Sequence, residues 1–422
     1  MCAASADRAS TDGLLIEAAN RFGTPAYVYF ADEVETRLAD LRRAFGRWFA
    51  ICFAVKSNPN PALLAWMRDK VDGLDISSGG ELHLALDGGW DAQRISFTGP
   101  AKREAELQAA IVGGLGELVI ENLREARLAD RIAADKGLIQ PVLVRLAPDR
   151  VPKGFGDQMA GRPSPFGIDV ESAAAELPQI AALANLQVVG LHIYSGTQCL
   201  KPEAISENWR IFMQVFRDIS SSQDMRPEKL VFGSGLGIPY HPGDKPLDLA
   251  EIAAEIGPEL DAFRAEARFS GTRLVLELGR HLVGEAGYFV TRVVSVKSSR
   301  GSRIAICDGG LNANLAASGH FGMVLRRNYI MHRVGGGEGC EKIDISGPLC
   351  TSIDKLGHAV VLPHIDEGDL IAIHGCGAYG PTASPLHFIS HPMPREVLVV
   401  GGQPADATRI RDAASDAFGC DG

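Results

Sequence analysis

The sequence predicts an α/β fold, a closed (β/α)8 barrel of the TIM type followed by a β-rich domain of the sandwich or barrel kind. Eight short apolar segments recur between residues 49 and 277, and segments with helical periodicity separate them. Beyond residue 280, strand-like segments alternate with Gly, Pro and Asp turns. A single core stops growing at roughly 250–300 residues, so a chain of 422 residues is expected to form two domains.

The first region alternates predicted strands with predicted helices, as is typical of a parallel sheet. The strands are predicted at residues 49–55, 73–77, 95–98, 118–121, 142–146, 188–194, 230–233 and 274–277. The helices are predicted at residues 33–45, 62–70, 81–87, 102–112, 123–136, 170–183, 204–219 and 249–268. Eight such units favour a closed barrel over an open doubly wound sheet, and no Gly-x-Gly-x-x-Gly motif follows the first strand.

The second region has few helical segments. Its strands are predicted at residues 290–296, 303–307, 360–362, 370–374 and 395–400. We therefore expect the barrel over residues 31–280 and the β-domain over residues 281–402. A polar tail with at most one short helix is expected over residues 403–422.

Composition excludes several classes of protein. The net charge of -10 disfavours nucleic acid or an anionic membrane as the main partner. The eight cysteines are scattered without zinc-type spacing, which predicts no metal site and a reduced, cytoplasmic protein. Cys2 could suggest a lipoprotein, but no apolar segment precedes it, and no uninterrupted apolar run approaches the ~20 residues of a membrane helix.

Polar side chains follow the predicted strands at their carboxyl ends, where a barrel of this type carries its chemistry. The most prominent is Lys56, which follows the buried first strand and precedes a Ser-Asn-Pro turn. The other candidates are Asp75, Ser77 and Glu81 after strand 2, Arg145 on strand 5, His192 and Ser195 after strand 6, residues 233–237 after strand 7, and Glu277 and Arg280 after strand 8. Singly, each has an ordinary structural interpretation, such as a solvated lysine, a turn or a core histidine.

Together these residues indicate pyridoxal 5'-phosphate as cofactor. A lysine can form an imine with the coenzyme aldehyde, and His192 could stack on its ring. The bare amides of Gly235 and Gly237, with Arg280, suit a phosphate. A carboxylate at Glu277 would keep the pyridine nitrogen protonated, so that the ring could accept the electron pair released by decarboxylation.

The chain resembles the fold-type III decarboxylases, the ornithine and diaminopimelate decarboxylase family. The resemblance spans roughly residues 27–400. The matching motifs, in the family's order, are AVKSN (54–58), DISSGGEL (75–82), RLAPD (145–149), FGID (166–169), HIYSGTQ (192–198), GSGLGIP (233–239), ELGR (277–280), GPLCTSID (347–354) and GAYG (377–380).

This resemblance implies that residues 1–30 join the β-domain and that the protein is a homodimer with shared active sites. By the same resemblance, Cys350 comes from the partner subunit and returns a proton to the substrate's α-carbon, while Tyr379 contacts the phosphate. The resemblance therefore implies a PLP-dependent amino-acid decarboxylase that acts through Lys56, with His192 and Cys350 as further catalytic residues.

The chain departs from the family where the substrate's distal end is held. Ornithine-type members carry an aspartate, and diaminopimelate-type members a glutamate, directly after the cysteine, whereas this chain has Thr351. A second family aspartate follows a tyrosine, and here Ile330 follows Tyr329. Nearby candidates for substrate contact are Arg326, Arg327 and Asp354. We therefore expect an anionic, neutral or carrier-tethered substrate, as in specialised members of the family.

Three alternatives remain from the residues alone. The first is a true diaminopimelate decarboxylase. The second is an amino-acid racemase on the same barrel, although such racemases place an arginine rather than a glutamate at the pyridine nitrogen. The third is a catalytically silent homologue that binds a regulatory partner, against which the presence of Lys56, Glu277, Arg280 and Cys350 argues.

Overall fold

The computed structural model describes residues 6–321, 323 and 326–409, which divide into two compact units. The barrel unit comprises residues 37–237 and 246–279, and the β-unit comprises residues 6–36, 238–245 and 280–409. Cys2, Cys420 and most of the expected tail lie outside the described residues. Within the described ranges, no helix has both the length and the hydrophobicity needed to cross a membrane.

The barrel unit is a closed ring of eight parallel strands, which confirms the predicted fold class. The strands are Phe49–Ala54, Gly73–Ile76, Ile95–Phe97, Glu117–Ile120, Gln140–Ala147, Leu186–Ile193, Lys229–Gly233 and Arg273–Leu278. Each strand pairs with the next, and the last pairs with the first. A short strand, Ile168–Asp169, extends the sheet, and Asp157–Gln158 forms a ribbon with Gly196–Thr197.

Helices connect the strands, and four of them begin at a residue whose side chain caps the first turn. They are Ala31–Phe45, Pro61–Met67, Gly79–Asp87, Glu104–Val112, Leu123–Lys136, Val170–Ala181, Pro202–Ser222 and Leu249–Ala265. Asn60, Ser78, Asn122 and Asp248 each accept a hydrogen bond from a first-turn amide of the helix that follows. Gly137 ends one helix with φ of 64°, a conformation that favours glycine.

Strand alternation builds two separate cores in the barrel unit. Small and branched side chains from six strands fill the lumen, namely Cys52, Val119, Leu143, Val189, Val231 and Val275. Residues of the opposite phase pack outward against the helices, where an aromatic cluster contains Phe45, Phe49, Trp209, Phe212, Phe216 and Phe232. The lumen is therefore a filled core, and polar side chains have room only at its ends.

The β-unit contains one nine-stranded sheet. Its strands are Ala26–Phe30, Gly287–Ser299, Ser302–Cys307, Met331–Arg333, Glu341–Ser346, Lys355–Leu362, Leu370–Ile373, Arg395–Val400 and Gln403–Asp406. Ala26–Phe30 lies between Gly287–Ser299 and Arg395–Val400. The sequence analysis did not predict two of these strands, Met331–Arg333 and Glu341–Ser346. The strand Gln403–Asp406 continues the sheet in a region where a polar tail was expected.

Two α-helices, Ala6–Phe22 and the short Arg280–Val283, and two 3-10 turns, Pro381–Ala383 and Phe388–Ser390, complete the described β-unit. The longer helix buries Leu15, Ala18 and Ala19 against sheet residues that include Val28 and Val397. A polar chain also joins it to the sheet. Asp12 accepts a hydrogen bond from His332 at 2.8 Å, and the other ring nitrogen of His332 lies 2.8 Å from His374.

This histidine pair should make folding sensitive to acid. Burial lowers the pKa of His332, and burial together with the charge of His332 lowers the pKa of His374 to about 3. Because the unfolded chain binds these protons near pH 6.5 and the folded chain does not, stability should fall as the pH drops below about 6.5. We expect a loss of about 1–2 kcal/mol between pH 7 and pH 5.

Thermal unfolding followed by circular dichroism from pH 5 to pH 8 measures this loss. His374→Gln should flatten the pH dependence, whereas the same change at the exposed His387 should leave it as in the parent protein. Equal slopes for the parent and His374→Gln would contradict the assignment.

Candidate active site

Five buried polar residues form a ring at the carboxyl end of the barrel lumen. They are Asp75, Glu121, Arg145, His192 and Glu277, none more than 4% exposed. Three of them lie two positions beyond a lumen-core residue, because side chains on one face of a strand recur with period two. Arg145 and His192 are also direct partners across neighbouring strands. The fold therefore brings together four of the predicted candidates and adds Glu121.

Lys56 lies at this end of the barrel, in the single turn Val55–Ser57 that follows the first strand. Its ammonium is 4.0 Å from the Asp75 carboxylate and 5.2 Å from the centre of the Tyr194 ring. The side chain is 33% exposed, so a ligand can reach the amine. The turn packs closely against the last strand, since a Cβ on Gly279 would lie 2.6 Å from the Ser57 hydroxyl.

His192 and Glu277 form a buried hydrogen bond of 2.8 Å between Nε2 and Oε2. Burial alone would raise the pKa of Glu277, but the hydrogen bond from His192 and the charges of Lys56 and Arg145 lower it to about 2. Burial also lowers the pKa of His192. A neutral histidine therefore donates to an ionised glutamate in the floor of the site.

The pKa of Asp75 is shifted in the opposite direction to the pKa of Glu277. Burial and the nearby Glu277 carboxylate raise its pKa well above the usual range, against the opposing charge of Lys56. Its Oδ1 accepts a hydrogen bond from Thr98. Among the described residues, no donor is bonded to Asp75 Oδ2 or to His192 Nδ1, although both atoms are buried. Two carboxyl groups with pKa values pushed apart are typical of a catalytic centre.

Backbone amides of the glycine loop at residues 233–237 are largely occupied within the barrel unit. The amides of Ser234, Leu236 and Gly237 donate to the Glu277 carbonyl, to the Ser234 hydroxyl and to the Cys199 carbonyl, respectively. Within the described chain, this leaves the Gly235 amide for an anion. Gly235 has φ of 71°, and a Cβ there would collide with the Phe155 ring, so both backbone and space require glycine.

Two predicted cofactor residues of the barrel unit are engaged with the protein itself. Glu81 accepts from the Ser77 amide at 2.7 Å, and its own amide donates to Ser78, which caps the helix Gly79–Asp87. Ser195 is buried and donates to Asn208 at 2.8 Å. Glu81 therefore has a clear structural role as a helix cap, a role that its spacing from Ser78 could have indicated.

In the β-unit, Arg280 forms a cluster with two tyrosines. Its guanidinium donates to the Tyr240 hydroxyl at 2.6 Å and lies 4.6 Å from the centre of the Tyr379 ring. Tyr379 has φ of 54°, a left-handed conformation that a large side chain rarely adopts. The Tyr240 ring in turn lies 4.8 Å from the ring of the buried Tyr329, at a tilt of 36°, which places Tyr329 in this cluster.

The loop that carries Cys350 depends on Asp354. Cys350 is exposed, and the neighbouring Thr351 is partly buried. Asp354 is 3% exposed, and its two oxygens accept from the amides of Leu311 and Leu349. Asp354 therefore fixes the loop, and its carboxylate is already occupied by backbone donors.

Arg326 and Arg327 are both exposed residues of the β-unit. Arg326 donates to the carbonyl of Lys355. Arg327 donates to Asp244 at 2.8 Å and keeps 52% of its side chain exposed. Each arginine thus has a protein partner and remains accessible to solvent.

The residues present fit the coenzyme that the sequence indicates. An accessible lysine stands beside a buried carboxylic acid, an ionised glutamate is hydrogen-bonded to a neutral histidine, and a glycine loop offers an amide. Sequence reasoning missed Thr98, Tyr194, Glu121 and Phe155. Of these, Glu121 could have been found, because it lies two positions beyond the lumen residue Val119.

Comparison with known proteins agrees with this site. Residues 31–284 match the family described as pyridoxal-dependent decarboxylase, pyridoxal binding domain. The L-glutamyl-[BtrI acyl-carrier protein] decarboxylase of Niallia circulans is 33% identical over 390 residues, which cover 90% of each chain. The diaminopimelate decarboxylase of Methanothermobacter thermautotrophicus is 33% identical over 408 residues, which cover 95% of this chain and 92% of that protein.

The fold comparison agrees as well. The crystal structure of diaminopimelate decarboxylase from M. jannaschi superposes with a TM-score of 0.85 at 25% identity, covering 96% of this chain and 94% of that one. The matched family covers the barrel with its lysine and ring of polar residues, and the relatives extend the match over both units. The chain therefore belongs to the pyridoxal-dependent decarboxylases of fold type III, with pyridoxal 5'-phosphate as its coenzyme.

Proposed function

We propose that this decarboxylase acts on an amino acid or amino-acyl group whose distal end carries no ammonium, and that a glutamyl-type group tethered to a carrier is the best candidate. The observation that carries the proposal is that the described residues 350–354 leave no acid available beside Cys350. Thr351 follows the cysteine, and the carboxylate of Asp354 is satisfied by the Leu311 and Leu349 amides.

The lack of such an acid matters because a distal ammonium is costly to bind without a counter-charge. A buried cation needs a carboxylate or several hydrogen bonds to replace its water. At the second family position, Ile330 follows Tyr329 and offers neither. The exposed Arg326 and Arg327 would instead attract an anionic distal group or an acidic carrier.

The two relatives name two substrate classes. The Niallia circulans relative is a decarboxylase of a glutamyl group on a carrier protein, which supports the proposal. The Methanothermobacter relative is a diaminopimelate decarboxylase of equal identity, so diaminopimelate is the second candidate. The residues around Cys350 favour the first.

We assign the following roles to the chain's own groups. The coenzyme supplies an electron sink for the carbanion left by decarboxylation. Lys56 is its covalent attachment point, and Glu277 holds a proton on its ring nitrogen. Asp75, with a raised pKa, can exchange a proton with the Lys56 amine 4.0 Å away. His192 orients Glu277 through their hydrogen bond and offers its ring as a stacking surface.

The remaining candidate residues are assigned to binding. We assign the Gly235 amide to the coenzyme phosphate, with Gly237 shaping the loop; the Ser195 hydroxyl, assigned to the same phosphate, would donate to it in place of Asn208. Arg280 and Tyr379 are assigned to the phosphate on the basis of the family motifs ELGR and GAYG. We also propose that the protein is a homodimer, which sedimentation at micromolar concentration would test.

The substrate proposal is tested by carbon dioxide release. The panel contains meso-diaminopimelate, lysine, ornithine, free glutamate and a glutamyl thioester on a phosphopantetheinylated carrier protein. We expect turnover of the thioester, or of an acidic amino acid, to exceed that of each diamino acid by at least about a hundredfold. Diaminopimelate turnover at a rate equal to that of the best substrate would refute the proposal.

Cys350→Ala tests the assignment of the proton donor. A thiol that returns a proton to the α-carbon contributes roughly a hundred- to ten-thousandfold, so kcat should fall by about that range while coenzyme loading is unchanged. The measurement is product formation in deuterium oxide, with the configuration of the deuterium-labelled α-carbon determined by NMR; the parent protein should give one configuration and Cys350→Ala a mixture. Cys340→Ala, at another exposed cysteine of the β-unit, is the matched control and should retain full activity.

A further inference from the structure

Glu121 is the most highly connected of the ring residues at the carboxyl end of the barrel lumen. Its Oε1 accepts from Arg145 at 2.9 Å and from the Gly99 amide at 2.9 Å. Its Oε2 accepts from the Gly167 amide at 2.8 Å. The Glu121 carboxylate, which is 2% exposed, thus links Arg145 to the loops that contain Gly99 and Gly167 and that follow two different strands.

A second buried ion pair lies beside it. The Lys102 side chain is 1% exposed and pairs with Glu125 at 2.9 Å. Its ammonium also donates to the carbonyls of Gly99 and Val119, so it binds the same loop and strand from the other side. Burial would raise the pKa of Glu121, but Arg145 and Lys102 outweigh burial and lower it. Two cations and two anions therefore balance in the interior, and none can be removed without leaving its partner unpaired.

Arg145 links this network to the coenzyme site. It is the cross-strand partner of His192, and its guanidinium donates to the Tyr194 carbonyl at 3.4 Å. The Tyr194 ring lies under the Lys56 ammonium. The guanidinium also lies 4.8 Å from the Phe166 ring, directly before Gly167. A shift of Arg145 would therefore disturb both His192, which is assigned to stack on the coenzyme, and Lys56, which is assigned to bind it.

We propose that Glu121 is a positioning residue of this decarboxylase, which holds Arg145 and the Gly99 and Gly167 loops in the arrangement that the coenzyme requires. The proposal rests on the assignment of Arg145 to the coenzyme site. It does not depend on which amino acid is the substrate. It predicts that a substitution at Glu121 weakens coenzyme binding because it displaces Arg145.

Glu121→Gln is the first test, because glutamine keeps the shape and removes the charge. The Arg145 charge then lacks its counter-ion and disfavours a proton on the nitrogen that joins Lys56 to the coenzyme. We expect the dissociation constant of the coenzyme to rise by roughly tenfold or more. We also expect the pH midpoint of the visible absorbance band to fall by about half a unit. Both readouts are taken without substrate.

The chain offers a matched control on the same strand. Glu117 lies at the opposite end of Glu117–Ile120 and pairs with Lys229 at 2.9 Å, with its side chain 17% exposed. Glu117→Gln breaks a comparable ion pair far along the barrel axis from Lys56. It should leave the coenzyme affinity and the pH midpoint as in the parent protein, whatever its effect on the melting temperature.

A double-mutant cycle with Arg145→Gln decides the mechanism and covers the case in which Glu121→Gln alone fails to fold. The double variant removes both charges together, so no buried charge is left unpaired. In the Arg145→Gln background, Glu121→Gln should change coenzyme affinity by less than about twofold. Normal coenzyme loading in Glu121→Gln, or a further tenfold loss in the double variant, would overturn the proposal.

The same cycle separates this proposal from the assignment on which it rests. If Arg145→Gln loads coenzyme as the parent protein does, the role of Arg145 in the site is wrong and the positioning proposal falls with it. If Arg145→Gln is impaired but Glu121→Gln is not, the assignment of Arg145 stands and only the positioning role of Glu121 is refuted.

Discussion

Replacing Lys56 with alanine is expected to abolish covalent attachment of the coenzyme and to lower kcat by at least about a thousandfold. The amine is the accessible nucleophile at the mouth of the barrel, 4.0 Å from Asp75. We assign proton exchange with this amine to Asp75, whose pKa is raised, whereas alanine offers no nitrogen at this position. The visible absorbance band should be absent after incubation with excess coenzyme, and borohydride should fix no coenzyme to the protein.

Lys70→Ala is the control for this experiment. Lys70 also lies over an aromatic ring of the barrel unit, 4.6 Å from the centre of Trp66, so the two variants lose comparable cation–π contacts. Lys70→Ala should retain the band and full activity. A borohydride-fixed coenzyme on another lysine of the Lys56→Ala protein would contradict the assignment of Lys56.

Glu277→Gln is expected to produce the second-largest loss, on the order of a hundred- to a thousandfold in kcat. Glutamine can still bond to His192, but it carries no negative charge to hold a proton on the pyridine nitrogen. Because the pKa of Glu277 is lowered to about 2, the parent carboxylate is ionised at every working pH. The fold-loss in kcat should therefore be the same from pH 6 to pH 9.

A coenzyme analogue with carbon in place of the ring nitrogen distinguishes this role from a structural one. The analogue should reduce the parent enzyme's kcat strongly and should cause little further loss in Glu277→Gln, since both changes remove the same interaction. The control Glu259→Gln removes an exposed acid that pairs with Arg210 and should behave as the parent. Equal losses from the analogue in the parent and in Glu277→Gln would show that Glu277 acts elsewhere.

The two carboxyl groups of the site illustrate how position in the fold sets chemistry. Asp75 and Glu277 are both buried, yet their pKa values move in opposite directions. Glu277 has a histidine donor and two nearby cations, whereas Asp75 has one hydroxyl donor and faces the Glu277 charge. Glu277 therefore suits a permanent negative charge, and Asp75 suits proton exchange with Lys56.

Much of the barrel could be predicted because its signals are local. Strand and helix periods are set by the backbone, so eight apolar segments with helices between them indicated the closed ring before any contact was known. Positions at the carboxyl ends of predicted strands identified Arg145 and Glu277 as candidates, and the position after the first strand identified Lys56. Strands in the β-unit were harder, since Glu341–Ser346 is a short segment of mixed polarity among turns.

The sequence alone determined the barrel and the coenzyme class and pointed to Lys56 as the proposed attachment residue, because residue type and period carry that information along the chain. Only the tertiary structure decided which side chains are partners. Glu121 meets Arg145 across 24 residues, His192 meets Glu277 across 85, and Asp354 accepts hydrogen bonds from the amides of Leu311 and Leu349. These pairings depend on how the strands close and stagger into a ring, and burial in that ring then sets the charge each partner carries.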